Sequence, residues 1–242
     1  MTQPRVLITG ATSGIGYQLA LDYADDDHQV IACGRNQHVL LEMEQSHQNI
    51  QGYEVDVTVE NSLDKVIDSL DSVPSIWILN AGYCDYVEKG NISVAKAKQL
   101  FDVNVFGVIN CIETLLKRNS SDVQIVIMGS ISSEVPLPRA ELYGATKAAI
   151  SYLARTLQMT LKEHHIHVSI IFPGFVKTPL TDKNTFPMPF IISPEKASVA
   201  IRAGVKKRQP YIYLPKRFTW LLRILGCLPY SFQTHIFSRL IK

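Results

Sequence analysis

Cysteine is scarce in this chain, and acid is missing from one end of it. Only four cysteines occur among 242 residues, Cys33, Cys84, Cys111 and Cys227. They form neither a C-x-x-C pair nor a histidine-rich spacing, which argues against zinc or another bound metal. The opening MTQPRVLITG has no charged, apolar and cleavable tripartite start of a secretory signal, so a reducing cytoplasm with free thiols is the expected compartment. Long apolar runs are absent too. The most apolar late stretch, Phe218 to Tyr230, is broken by Arg223, Gly226 and Pro229 and falls short of the ~20 residues that span a bilayer. Lying on a membrane surface remains open to it. No repeat and no Gly/Ser-rich linker divides the chain.

What is present is globular. Hydrophobic residues make up 46% and charged residues 19%, with 13 Gly and 12 Pro, which excludes a mostly disordered or collagen-like chain. The length suits one α/β domain, residues 1–242, around one large core. The net charge of +2 hides an asymmetry: residues 196–242 hold ten Lys and Arg and no Asp or Glu, while the rest holds 14 basic and 22 acidic residues. Such a tail either packs on its own acidic body or meets an anionic partner.

Apolar β-branched runs alternate with helical patterns, the signature of a parallel sheet built from crossover units. Strands are expected at Arg5 to Thr9, Gln29 to Cys33, Ile50 to Val55, Ser75 to Leu79, Val123 to Met128 and His167 to Phe172, with a short seventh at Tyr211 to Leu214. Helices are expected at Ile15 to Ala24, Gln37 to His47, Val59 to Leu70, Ala95 to Leu116, Leu142 to His164 and Pro194 to Lys206. The fold class is therefore α/β, a doubly wound, mostly parallel sheet of Rossmann type, with its ligand at the carboxyl edge.

The first strand runs into Thr9-Gly10-Ala11-Thr12-Ser13-Gly14-Ile15-Gly16, and an amphipathic helix follows. Gly10 permits a tight turn, Gly14 a close backbone approach to a pyrophosphate, and Gly16 close helix packing. The helix amino terminus offers N–H groups and partial positive charge. The spacing is G-x-x-x-G-x-G, and its place between strand and helix points to a dinucleotide. At the end of the second strand stands Cys33-Gly34-Arg35-Asn36, without the acid that holds a ribose 2′-hydroxyl. Arg35 suits a 2′-phosphate, which favours NADP over NAD.

Tyr143 and Lys147 lie four residues apart at the start of a long helical pattern and so share a face. A nearby ammonium favours the phenolate of a group that is otherwise a poor base at neutral pH. Met128-Gly129-Ser130 ends a strand thirteen residues earlier, and a hydroxyl there can donate to a substrate carbonyl oxygen. Position alone does not choose among Ser130, Ser132 and Ser133.

Taken together, these motifs resemble the short-chain dehydrogenase/reductase family. The likeness covers about the first 180 residues: TGATSGIG, Asp56-Val57, Asn80-Ala81-Gly82, Asn104, Ser130, YGATK, and Pro173-Gly174 with Thr178. It implies that Ser130 is the active serine and that Asn104 holds a helix irregularity and a water linking Lys147 to solvent. It also implies that Asp56 and Val57 meet the adenine and that Asn80, Ala81 and Gly82 line the ribose. Lys147 would contact the nicotinamide ribose, and Pro173, Gly174, Val176 and Thr178 would hold the nicotinamide. Leu79 departs from the second asparagine that many relatives carry before the triplet.

Residues 179–192 resemble the family's substrate lid, and Phe186, Met188 and Phe190 within it suggest an apolar substrate. In residues 196–242, Phe218, Leu221, Leu222 and Leu225 form an apolar stripe flanked by Lys216, Arg217 and Arg223. That basic amphipathic segment can meet an anionic membrane, cover the substrate mouth or join a sister subunit. No recognition motif accompanies the charge, which argues against nucleic acid. The expected protein is thus an NADP-dependent oxidoreductase interconverting a carbonyl and an alcohol, with a homo-oligomer implied by the resemblance. Its rival is a non-catalytic dinucleotide-binding redox sensor or membrane-recruited scaffold.

Overall fold

The computed structural model describes residues 3–88, 90–118, 120–184 and 187–238. Seven strands form one wholly parallel sheet: β1 (Arg5–Thr9), β2 (Gln29–Gly34), β3 (Ile50–Glu54), β4 (Ile76–Leu79), β5 (Gln124–Met128), β6 (His167–Pro173) and β7 (Tyr211–Leu214). Their order is β3-β2-β1-β4-β5-β6-β7. The chain reverses its direction of winding between β1 and β4, so a crevice opens beyond the carboxyl ends of those two strands. The turn after β1 and the Asn80–Ala81–Gly82 segment after β4 face each other there.

Both faces of the sheet are covered, which is why the strands read as continuous apolar runs. Val6 and Ile8 point to one layer, with Leu19 and Tyr23 of α1 (Gly14–Asp25), Leu40 and Met43 of α2 (Gln37–Ser46) and Ile201 of α7 (Pro194–Lys206). Leu7 points to the other. There it joins α3 (Ser62–Asp68), α5 (Gly107–Leu116) and α6 (Glu141–Thr160) through Leu63, Cys111 and Ile150. Leu79 also lies in this second core, 2% exposed, so the position that departs from the family asparagine serves packing.

Three helical expectations change. The segment read as Val59 to Leu70 is helical only over α3, because Asn61 adopts a left-handed backbone at its amino cap. The long helix read as Ala95 to Leu116 is interrupted: α4 (Val94–Phe101) passes through one π-helical stretch, Asp102–Phe106, into α5. Its 23 residues are apolar and long enough to cross a membrane, but Leu100, Val108, Cys111 and Leu115 are buried in the protein. The tail forms two helices, α8 (Lys216–Gly226) and α9 (Tyr230–Ser238), on either side of Pro229. Sequence reading anticipated only the first. Phe218 and Leu222 of α8 pack with Phe237 of α9 on Ile131 and Val135, so part of the stripe is turned onto the body of the protein. Leu221 of the same stripe is exposed, because an eleven-residue helix turns it away from the core.

Candidate active site

Strand ends meet around a cavity of about 1150 Å³. Its floor is the turn after β1, where Gly10 and Gly14 take φ of +66° and +55°, a region that disfavours side chains. Gly16 lies beneath, where a Cβ would come within 2.3 Å of the Gly10 carbonyl oxygen and 2.4 Å of the Asn80 amide. Ser13 caps α1 through its backbone position, yet its hydroxyl takes none of the helix N–H groups. The turn therefore presents backbone donors at a positive helix end, a cradle that fits a pyrophosphate. Asn80 locks it from the other side, donating to the carbonyl oxygens of Thr9 and Gly10 at 3.1 Å each. The Thr9 hydroxyl accepts from the N–H groups of Asn80 and Ala81, both at 3.1 Å.

At one end of the cavity Arg35 follows β2, three-quarters exposed and 3.9 Å from the Asp56 carboxylate. Burial opposes ionisation of Asp56, but donors on Thr58 and the Arg35 charge outweigh it and hold the carboxyl below its ordinary value. Gly34 is required by Thr12, whose methyl would lie 2.5 Å from a Cβ there. Every residue expected to hold the cofactor lines the cavity except Gly16.

At the other end stand Ser130, Tyr143 and Lys147. The structure distinguishes the three serines. The Ser130 oxygen accepts from the backbone N–H of Ser132 at 3.2 Å and from its hydroxyl at 2.9 Å. Ser133 donates to the Ser130 carbonyl at 2.7 Å and accepts from Ser151 at 2.9 Å, away from the cavity. Only Ser130 bonds Tyr143 among them. Burial raises the Tyr143 phenol well above its ordinary value, the neighbouring Cys84 adds to this, and the Ser130 hydrogen bond partly reverses it. Burial also lowers Lys147 to about 8. In the protein alone, burial rather than Lys147 is the largest influence on the phenol. The Lys147 ammonium donates to the Met128 carbonyl at 2.8 Å and passes 5.7 Å from the Tyr143 ring centre, so desolvation dominates both groups.

Asn104 lies in the π-helical stretch, fully buried and behind the cavity wall. Its oxygen accepts from the Tyr83 N–H at 2.7 Å; its amide donates to the Tyr83 carbonyl at 2.8 Å and to Thr146 at 3.1 Å. The extra residue of the π-turn aims this amide across to the loop after β4.

Sequence reading missed several wall residues. Cys84 and Tyr86, just past the Asn80–Ala81–Gly82 segment, and Arg139 all line the cavity. Arg139 lies over the Tyr86 ring at 5.5 Å and pairs with Glu88. Burial raises the Cys84 thiol to about 11, so it is not a thiolate. The lid differs from expectation. Phe186 lies outside the described residues, Met188 accepts a hydrogen bond from Asn184 at 3.1 Å, and Phe190 is exposed, 5.8 Å from the Phe218 ring. The lid lines the cavity through Leu180, Pro187 and Pro189 rather than Met188 and Phe190, and Leu137, Phe175, Phe218, Leu222 and Phe237 complete the apolar wall. Only tertiary packing brings these together. Among the described residues, no cluster of three His, Cys, Asp or Glu forms a metal site.

Residues 4–187 match the family model of the short chain dehydrogenases. The chain belongs to the short-chain dehydrogenase family. This short-chain dehydrogenase is 27% identical over 238 residues to an uncharacterized oxidoreductase of Myxococcus xanthus, covering 95% of this chain and 94% of that one. It is 30% identical over 199 residues to the NADPH-dependent 1-acyldihydroxyacetone phosphate reductase of Saccharomyces cerevisiae, covering 77% and 66%. A short-chain dehydrogenase/reductase from Burkholderia phymatum in complex with NAD shares the fold, with a TM-score of 0.81, 18% identity, and 91% and 92% of the two chains covered. The short-chain dehydrogenase is thus an oxidoreductase that acts on CH–OH groups with NAD(P) on a Rossmann-type parallel sheet.

Proposed function

We propose that this enzyme uses NADP to interconvert an apolar carbonyl compound and its alcohol. The observation that carries the cofactor choice is Arg35, which lines the cavity at the end of β2 where an acid would serve NAD. Asn36 caps α2 by accepting from the Val39 N–H at 3.3 Å, so the positive end of that helix supports a 2′-phosphate beside the guanidinium. The yeast relative named for NADPH points the same way. The phenylalanine and leucine wall supports the apolar substrate.

Bound NADPH supplies the hydride and, once oxidised, a positively charged ring. In the reducing direction Ser130 donates to the substrate oxygen while Tyr143, held protonated by burial, gives that oxygen its proton. Lys147, beside the ring, stabilises the phenolate left behind and orients the nicotinamide ribose. Asn104 supports the proton relay by fixing the loop after β4.

A homo-oligomer is proposed on the exposed Phe106, Ile109, Tyr152 and Met159 around α5 and α6, an apolar face that a second copy can cover. The cytoplasm is the proposed compartment, in keeping with four free thiols.

The test is NADPH oxidation against ketones of graded chain length, with NADPH binding followed by fluorescence. Activity that grows with chain length and vanishes in Tyr143→Phe supports the reading. NADPH binding without turnover of any carbonyl would favour the non-catalytic rival instead.

A further inference from the structure

Helix α8 carries two apolar faces. Phe218, Leu222 and Leu225 pack inward on Ile131, Val135 and Phe237. Trp220, Leu221 and Ile224 point outward, with Trp220 64% exposed, and beyond the turn Tyr230 is 84% exposed beside the exposed Phe232. Such a contiguous outer patch is unusual for a surface helix and marks an interaction site.

Its charge says with what. Residues 216–238 hold Lys216, Arg217 and Arg223 and no acid. Arg202 and Arg208 of the tail satisfy Asp22, Asp26 and Asp122 on the body, so part of the basic excess is neutralised at home. Lys216 and Arg217 are exposed at the start of α8, and Arg223 stays 4.3 Å above the Tyr213 ring. Glu134, whose backbone reaches Gly226, is itself paired with Arg155. A second copy placed on this face by two-fold symmetry would set these cations against their own images. An anionic lipid surface complements them and accepts Trp and Tyr at its headgroup level.

We infer that the outer face of α8, with the start of α9, docks the enzyme on an anionic lipid surface. This face plays no part in the NADP reading. Since the inner side of the same helices closes the apolar end of the cavity, docking brings that end to the bilayer.

Tryptophan emission tests it directly, because Trp220 is exposed while Trp77, the second of the two tryptophans, is fully buried. The full chain is mixed with phosphatidylglycerol vesicles and with phosphatidylcholine vesicles, and binding is read by co-sedimentation. The expected result is a blue shift and salt-sensitive binding on phosphatidylglycerol alone. Two variants, Trp220→Ser with Leu221→Ser and Ile224→Ser, and Lys216→Glu with Arg217→Glu, each bind about tenfold more weakly or worse. NADPH binding by the same samples stays unchanged, which reports folding and separates this inference from the cofactor reading. Absence of binding by the parent chain, or undiminished binding by the triple variant, overturns it. So does a smaller assembly of the triple variant in sedimentation velocity when the parent ignores vesicles, since the occupant is then a second copy.

Discussion

Lys147 lies 5.7 Å from the centre of the Tyr143 ring but gives its hydrogen bond to the Met128 carbonyl, at 2.8 Å. Both groups are desolvated, and in opposite senses: the phenol is harder to ionise and the ammonium easier to deprotonate. The resting pair is therefore a proton donor beside a strained cation.

Stability should record that strain. A lysine near 8 in the fold and near its ordinary value unfolded means that, between those values, the unfolded chain binds more protons. Stability from this group accordingly rises with pH from about 8 upward, by at most about 1.4 kcal/mol per unit, and the penalty is fully present below pH 8. In urea titrations at a series of pH values the difference in stability between Lys147→Met and the parent should carry this slope, because the opposite contribution of the buried thiols Cys33, Cys84 and Cys111 is common to both and cancels. A parallel slope in both proteins would contradict the assignment.

The serines should separate. Ser130→Ala removes the hydroxyl bonded to Tyr143 and is expected to lower kcat by about a hundredfold or more. Ser132→Ala leaves that hydroxyl in place and costs little in rate. Ser133→Ala is expected to lower stability by about 1 kcal/mol, because it breaks the link from Ser151 to the Ser130 carbonyl. Steady-state kinetics with thermal melts distinguishes the three.

Arg35→Gln should weaken NADPH about ten- to a hundredfold, the cost of charge-assisted hydrogen bonds to a phosphate, while NADH changes little. Fluorescence titration with both nucleotides reads the ratio. Equal losses for both would assign Arg35 to general support of the adenine end.

Asn104→Ala takes the partner from the part-buried N–H and carbonyl of Tyr83 and leaves the buried Thr146 hydroxyl with only its bond to the Tyr143 carbonyl. A loss of about 2–4 kcal/mol by urea unfolding is expected, together with reduced turnover as the loop after β4 loosens. A variant as stable as the parent would show that water replaces the amide.

The strands were legible because a two-face-buried sheet demands runs such as Val6-Leu7-Ile8 and Ile125-Val126-Ile127, and the glycine turn because only small residues satisfy Gly10 and Gly16. The cofactor floor was legible for the same reason: its residues are close in sequence to strand ends. Less local features escaped. The interruption at Asn104 leaves a helical apolar pattern nearly intact, so periodicity cannot mark it; only the likeness to a family did. Met188 and Phe190 suggested an apolar substrate from hydropathy alone, and neither side chain lines the cavity.

Sequence alone determined the parallel sheet, the glycine turn after its first strand and the helical spacing that brings Tyr143 and Lys147 to one cavity, because each depends on short-range spacing and backbone sterics. Tertiary structure decided which serine meets the phenol, how burial sets the charges, and that Phe218, Leu222 and Phe237 close the cavity while Trp220 faces out. Those outcomes depend on contacts between segments far apart in the chain, and on which side of a helix the packing buries, neither of which a linear pattern specifies.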